Sequence, residues 1–473
     1  MKKPVSILLA AVIAASALAA APFAAHAAQY GDVDGDGLVT VVDATIIQKH
    51  SARLTTLDSS LLKAADMNGD GKVNVVDATN VQKVAAGIDE PSEIMPEVSD
   101  DDLKNEGSLA MNRFGVKLLQ NSEIKDKNVL ISPLSVMYAL GMASNGAGGS
   151  TLHQMESTMG MSLDTMNRYF KAYPSYLSQD ENAKLSIADS VWFNTLSQNI
   201  AMRDSFTNAV RENYAAEVAA LPFDHKAEDQ INAWVNEKTG GMIPSVIKDI
   251  DPNTMMYLIN ALYFEADWAQ QYQKYSIREG EFTNCDKTKS TVEFMYGEFA
   301  RYIDDEKAKG FIQWFKGFDY FFVAMLPDEG VSVEEYAASL TAEKISSFFD
   351  NSQQKTVKTK LPKFEVKYNT ELSQTLKNLG VKDAFNPYTA NFRGMVTDDS
   401  AANPFIDKVI HKTAIKVDES GTKAGAVTAI EISPGAAPEI EEPKKVYLDR
   451  PFVYMLIERN TMTAVFIGTV NNL

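Results

Sequence analysis

Residues 419–432 read Glu-Ser-Gly-Thr-Lys-Ala-Gly-Ala-Val-Thr-Ala-Ile-Glu-Ile. The stretch has no aromatic ring and is made largely of small and β-branched side chains. Alternate residues from Thr422, namely Thr422, Ala424, Ala426, Thr428, Ile430 and Ile432, carry no charge. The other set, Lys423, Gly425, Val427, Ala429, Glu431 and Ser433, holds both charges. This period of two is that of a strand with one buried face. Yet Ser433-Pro-Gly-Ala-Ala-Pro438 follows at once, and that composition predicts an exposed loop. Taken alone, the pattern describes an edge strand that runs into a surface tip.

The flanks add to this. His411-Lys-Thr-Ala-Ile-Lys-Val-Asp-Glu-Ser-Gly421 lies before the stretch. Asp449-Arg-Pro-Phe452 and Val465-Phe-Ile-Gly468 lie after it. This order resembles the serpin family, whose reactive-centre loop stands between such a hinge and such a C-terminus. Further blocks match in order. They are Asn128–Ser135, Ile231–Asn236 with Thr239 and Gly240, Leu258–Phe264 with Trp268, Ala324–Pro327, Leu361–Phe364 and Leu379–Phe385. The resemblance covers residues 103–473 and implies an α+β serpin fold of three β-sheets with surrounding helices and an exposed loop. Helices are expected over Leu109–Leu119 and Ser135–Ala143, and strands over Ala188–Phe193, Tyr257–Phe264 and Phe321–Leu326.

The resemblance also implies site residues and a mechanism. Glu419, Gly421, Thr422, Ala424 and Ala426 match the hinge. Ser132, Ser135, Asn260 and His411 match the polar "shutter" beneath the main sheet. By the family's usual hinge length the scissile bond is Gly435–Ala436. A serine protease would cut there, and the freed segment would insert into the sheet before the acyl-enzyme is hydrolysed. The small residues at the tip suit elastase-like or subtilisin-like proteases. A trypsin-like target is disfavoured, since no Lys or Arg lies near it. Gly425 and Val427 replace the more usual alanines.

Near the N-terminus a second pattern stands out. Asp32–Asp43 (DVDGDGLVTVVD) recurs 34 residues on as Asp66–Asp77 (DMNGDGKVNVVD), and both continue Ala-Thr. A hard cation such as Ca²⁺ takes about six to eight oxygens, supplied by a 12-residue loop at positions 1, 3, 5, 7, 9 and 12 with Gly at 6. The first loop offers Asp32, Asp34, Asp36, the Leu38 carbonyl, Thr40 and Asp43. The second offers Asp66, Asn68, Asp70, the Lys72 carbonyl, Asn74 and Asp77. Two Ca²⁺ ions are expected. Both loops end in Asp, not Glu, and no helix precedes the first. In this the region resembles the dockerin family, a small all-α module that binds cohesin modules of a scaffold protein, as in cellulosomes. The resemblance places the partner surface at Val41, Val42, Gln48 and Lys49, and at Val75, Val76, Gln82 and Lys83. Core packing is the other reading of the valine pairs.

Lys2 and Lys3, an Ala-rich apolar run over 5–21 and Ala25-His-Ala27 predict a secretory signal peptide over 1–27. The resemblances imply a dockerin module over 28–88 and a serpin domain over 103–473, joined by an acidic, Pro-containing linker over 89–102 that reads as an exposed tether. One cysteine, Cys285, leaves no internal disulfide. The net charge of −18 argues against nucleic-acid or anionic-membrane partners. Two other readings stay open. One is a non-inhibitory serpin that acts as a binding protein, and the other is a dockerin-borne hydrolase. No Gly-x-Ser-x-Gly or His-Glu-x-x-His motif favours the hydrolase.

Overall fold

The structure, a computed structural model, describes residues 29–69, 71–89, 91, 94–95, 97–177, 182–196, 200–397, 403–421 and 442–473. In chain order the helices are α1 (Val41–Ser51), α2 (Ser59–Ala65), α3 (Val75–Ala85), α4 (Leu103–Gln120), α5 (Pro133–Ser144), α6 (Gly149–Met159), α7 (Leu163–Tyr176), α8 (Asp204–Tyr214), α9 (His225–Lys238), α10 (Val333–Ser339), α11 (Ala342–Asn351) and α12 (Ser373–Asn378). The strands are β1 (Val129–Ile131), β2 (Ala183–Asn194), β3 (Glu217–Leu221), β4 (Met256–Ala266), β5 (Ile277–Thr283), β6 (Lys289–Asp305), β7 (Ala308–Trp314), β8 (Tyr320–Pro327), β9 (Gln353–Pro362), β10 (Phe364–Glu371), β11 (Lys408–Val417), β12 (Lys444–Tyr447), β13 (Phe452–Glu458) and β14 (Thr463–Val470).

The α+β architecture is as expected. Among the described residues the strands form two hydrogen-bonded sheets. A five-stranded sheet runs β10-β11-β4-β2-β3, and a nine-stranded one runs β1-β14-β13-β8-β7-β6-β9-β12, with β5 on β6. The long β6 runs through the nine-stranded sheet, so two sheets stand where three were expected. It pairs with β5 and β9 along most of its length and with β7 over its last residues. A register irregularity between Phe299 and Arg301 interrupts its ladder with β9.

β4 is buried on both faces, which is why it reads as a continuous apolar run. Leu258, Leu262 and Phe264 face the main core. Tyr257, Ile259 and Ala261 face a second cluster with Ile231 and Val235 of α9. α5 is buried along its whole length against the main core. Ser132 caps it, accepting a hydrogen bond from the Ser135 N–H, with Pro133 in the first turn where its missing donor costs nothing.

The N-terminal module packs α1 against α3 around Ala44, Ile47, Ala78 and Val81. The described residues of the segment that joins it to the main body are mostly exposed, but three apolar side chains anchor it. Met95 is buried, Ile94 packs on the small module and Val98 on the main core. Arg168 donates to the Val98 carbonyl (2.8 Å) and pairs with Asp100. Apolar side chains spaced through an acidic run carry this seating. Residues 1–27, expected to form a signal peptide, lie outside the described residues. No described helix is long and apolar enough to cross a membrane.

Candidate functional site

β11 and β4 are parallel neighbours, paired from Lys408↔Tyr257 to Ala414↔Tyr263. Beyond that point their ladder stops, although β11 continues to Val417 and β4 to Ala266. The two strands therefore part at one end. Over the parted end the chain turns back through Asp418–Gly421. Trp268 N–H donates to the Ser420 carbonyl (2.8 Å), and the Trp268 indole N–H to the Asp418 carbonyl (2.8 Å). The Tyr272 N–H donates to the Glu419 carbonyl (3.1 Å). Trp268 is itself fixed by stacking on Phe315, with ring centroids 4.4 Å apart.

Two of the five predicted hinge residues fall in this turn. The Glu419 carboxylate pairs with the Lys363 ammonium at 2.8 Å, and that hydrogen bond holds Glu419 below the usual carboxylate range. Lys363 also reaches Glu293 at 3.0 Å. Gly421 has φ of 146°, and a Cβ there would sit 2.2 Å from the Ala266 carbonyl oxygen, so only glycine fits. The remaining hinge residues Thr422, Ala424 and Ala426, and the bond Gly435–Ala436, lie outside the described residues.

Beneath the seam the four predicted shutter residues come together. Ser132, Ser135, Asn260 and His411 are all fully buried. The Ser132 N–H donates to His411 Nε2 at 3.2 Å, so Nε2 is the bare nitrogen and Nδ1 carries the proton. His411 Nδ1 is hydrogen-bonded to Asn260 Oδ1, which also accepts from Ser135 Oγ at 3.1 Å. Burial pushes the His411 imidazole down to about 3, so it is neutral. The cluster links α5 to both strands of the seam.

Residues not singled out from sequence join it. Thr413 Oγ1 donates to the Leu130 carbonyl at 2.7 Å. Asp189 of β2 stands opposite Asn260 in register and therefore on the same face. Its two carboxyl oxygens and Asn260 Nδ2 are buried without a hydrogen-bond partner among the described residues. Burial raises the Asp189 carboxyl well above its usual range, which favours its neutral form. A lone acid in the apolar run Ala188–Phe193 was the available signal.

In the N-terminal module the first loop brings three of its expected ligands together. Carboxylate oxygens of Asp32, Asp34 and Asp36 lie within 4.8 Å of one another. Asp32 accepts from the N–H groups of Gly35 (2.8 Å) and Gly37 (3.0 Å). Asp43 closes the loop by accepting from Val33 (2.8 Å), Asp34 (3.0 Å) and Thr40 (2.8 Å). In the second loop Asp77 accepts from Asn68 (3.2 Å) and Asn74 (2.8 Å), and Asp66 from Gly71 (2.9 Å). Asp70 lies outside the described residues. Thr40 and Asn74 also cap α1 and α3. Converging hard oxygen donors with no soft ligand fit Ca²⁺, which would neutralise their mutual repulsion. Val41 and Val75 are 63% and 61% exposed, and Val42, Val76, Gln48, Lys49, Gln82 and Lys83 are exposed too, so the valine pairs are surface and not core.

Comparison with known proteins finds two family matches. Residues 109–473 match the family model described as serpin (serine protease inhibitor), and residues 30–84 match the dockerin type I domain. Iripin-2 of Ixodes ricinus is 29% identical over 77% of this chain and 93% of its own length. Leukocyte elastase inhibitor A of Rattus norvegicus is 29% identical over 72% of this chain and 92% of its own. Among solved structures, the thermophilic serpin tengpin in its native state is similar with a TM-score of 0.73 and 39% identity. That match covers 80% of this chain and 96% of tengpin.

Proposed function

The chain belongs to the serpin family and carries a type I dockerin domain, and from this premise we propose that it is a secreted suicide-substrate inhibitor of subtilisin-like or elastase-like serine proteases. Its dockerin holds it, in the presence of two Ca²⁺ ions, on a cohesin-bearing scaffold of cellulosome type, which it protects from proteolysis. The observation that carries the inhibitory reading is the interior parallel pair β11/β4, which parts beyond Ala414 and Tyr263 under the Gly421 turn.

The chemistry proceeds as follows. The protease serine Oγ attacks the Gly435 carbonyl, the Gly435–Ala436 amide breaks, and the Ala436 amine leaves with a proton. An ester then joins Gly435 to the protease. The segment 422–433 reverses at Gly421 and enters between β11 and β4, antiparallel to both. One parallel pairing is thereby replaced by two antiparallel ones, which are the more stable kind per residue. At about 1 kcal/mol net per ladder hydrogen bond, plus burial of the uncharged face, the insertion releases on the order of 10 kcal/mol. That release carries the tethered protease along before water reaches the ester. The shutter permits this because its bonds are to side chains, which can break and reform as the strands separate. Small residues on both sides of the bond suit a shallow primary pocket, and the likeness to leukocyte elastase inhibitors agrees with that class.

The test is to mix the purified protein with a subtilisin-like and an elastase-like protease. A complex that survives SDS, with a C-terminal peptide beginning at Ala436, is the expected result. Cleavage without a complex would instead favour the non-inhibitory reading.

A further inference from the structure

The two calcium loops are near-identical in sequence but meet different surroundings. At the fourth position of the first loop, a Cβ on Gly35 would meet nothing within 4 Å. At the fourth position of the second, a Cβ on Gly69 would lie 3.1 Å from the Gly149 nitrogen of α6. From the other side, a Cβ on Gly149 would lie 2.9 Å from the Asn68 carbonyl oxygen. Asn68 is the third-position ligand of that loop. A few residues along α6, His153 is buried with its ring stacked on Tyr30, centroids 3.5 Å apart and planes 12° from parallel. Tyr30 is in turn part of the dockerin's own core, with Met67 and Val81. The second loop is thus clamped on the serpin body and the first loop is not.

We propose that the α6 face is a docking site for the dockerin's second calcium loop, so that Ca²⁺ at this loop and attachment of the dockerin to the serpin body are thermodynamically linked. The physical reason is the tightness of the contact. Residues 66–69 would form one side of a Ca²⁺ site, and without the ion the acidic side chains of the loop repel and the turn opens. The Asn68 carbonyl cannot move toward Gly149, where there is room only for hydrogen. An opened loop therefore loses the contact, and a docked loop is held in the shape that binds the ion. By reciprocity, whatever strengthens docking strengthens Ca²⁺ binding at the second loop by the same factor. The first loop, open to solvent, is exempt. This linkage does not depend on whether the reactive loop traps a protease.

The experiment titrates the full chain with Ca²⁺ alone, by calorimetry, in the wild type, His153→Ala and His153→Phe. Removing the stacked ring should weaken the second-loop site, identified as the one lost in Asp66→Ala, by about 5- to 50-fold and leave the first-loop site within about twofold. His153→Phe, which keeps a flat ring against Tyr30, should restore it. Equal weakening of both sites, or of neither, overturns the proposal. Should His153→Ala not fold, hydrogen exchange on the wild type decides. Calcium should slow exchange in residues 149–155 of α6, and unchanged exchange there overturns the linkage.

Discussion

His411 and Asn260 are register partners across the parallel strands β11 and β4, and their side chains are hydrogen-bonded to each other over the seam. Any strand that enters between β11 and β4 must break this bond. His411→Ala also strips the Ser132 N–H of its acceptor and leaves both groups buried, at a cost of about 2–4 kcal/mol. The variant should melt earlier and should convert on warming to inserted or polymeric forms, seen on native gels. An unchanged melting temperature would mean that the cluster does not hold the seam.

The same residue sets a pH dependence. Its folded-state value is about 3, against about 6.5 unfolded. A base with a depressed value contributes stability that is full above the unfolded value and lost as pH falls from about 6.5 toward 3. The loss amounts to a few kcal/mol in order of magnitude. Urea unfolding at successive pH values should show wild type and His411→Ala converging as the pH falls through this window.

Asp189 has the opposite sign. Its carboxyl is raised by burial, so folding requires the protonated acid at any pH above its unfolded value near 3.9. Asp189→Asn removes that requirement while keeping the shape. It should raise stability at pH 7, and the gain should shrink as the pH falls toward the unfolded value. A variant less stable than wild type at pH 7 would argue for an ionised Asp189 with a partner.

Gly421→Ala forces a Cβ into the Ala266 carbonyl at a backbone angle that other residues rarely adopt. The turn should shift at a cost of about 1–3 kcal/mol. The measured effect should be more substrate-type cleavage per molecule of protease trapped, with little change in the initial rate of attack at the tip.

Replacing Val41 and Val42 by Ala, or Val75 and Val76, removes exposed side chains that support no core. If either copy can engage a cohesin, each double variant should retain binding and the quadruple variant should lose it in a calorimetric titration. Complete loss from one pair alone would establish a single binding orientation.

What the sequence made legible followed strong local periods. The apolar runs at Tyr257–Phe264 and Phe321–Leu326 are core strands of the two sheets, each extended by a few residues at its ends. The spacing of Asp32–Asp43 and Asp66–Asp77 carried the two loops, because a cation site is local in the chain. The shutter is different. Ser132, Asn260 and His411 are far apart in sequence, and only the family resemblance proposed them together. Asp189 was missed because its neighbour is supplied by pairing with β4, and the lone acid in an apolar run was the one local sign of it. The seating of Met95 and Val98 was missed because isolated apolar residues in an acidic run have no period.

The three strands after the reactive segment have a further consequence. β13 and β14 lie in the interior of the nine-stranded sheet, between β8 and β1, and every residue of both is buried. The last residues are tied in as well, Asn471 and Asn472 through the Asn128 carboxamide and Leu473 through Asn284. A cut anywhere in 422–441 therefore divides the polypeptide but not the particle. The tail survives the nick as a non-covalent subunit, and only a denaturant, not dilution, would part the two pieces. A nicked molecule would keep its hydrodynamic size in native buffer, so size alone would never reveal that it had been spent.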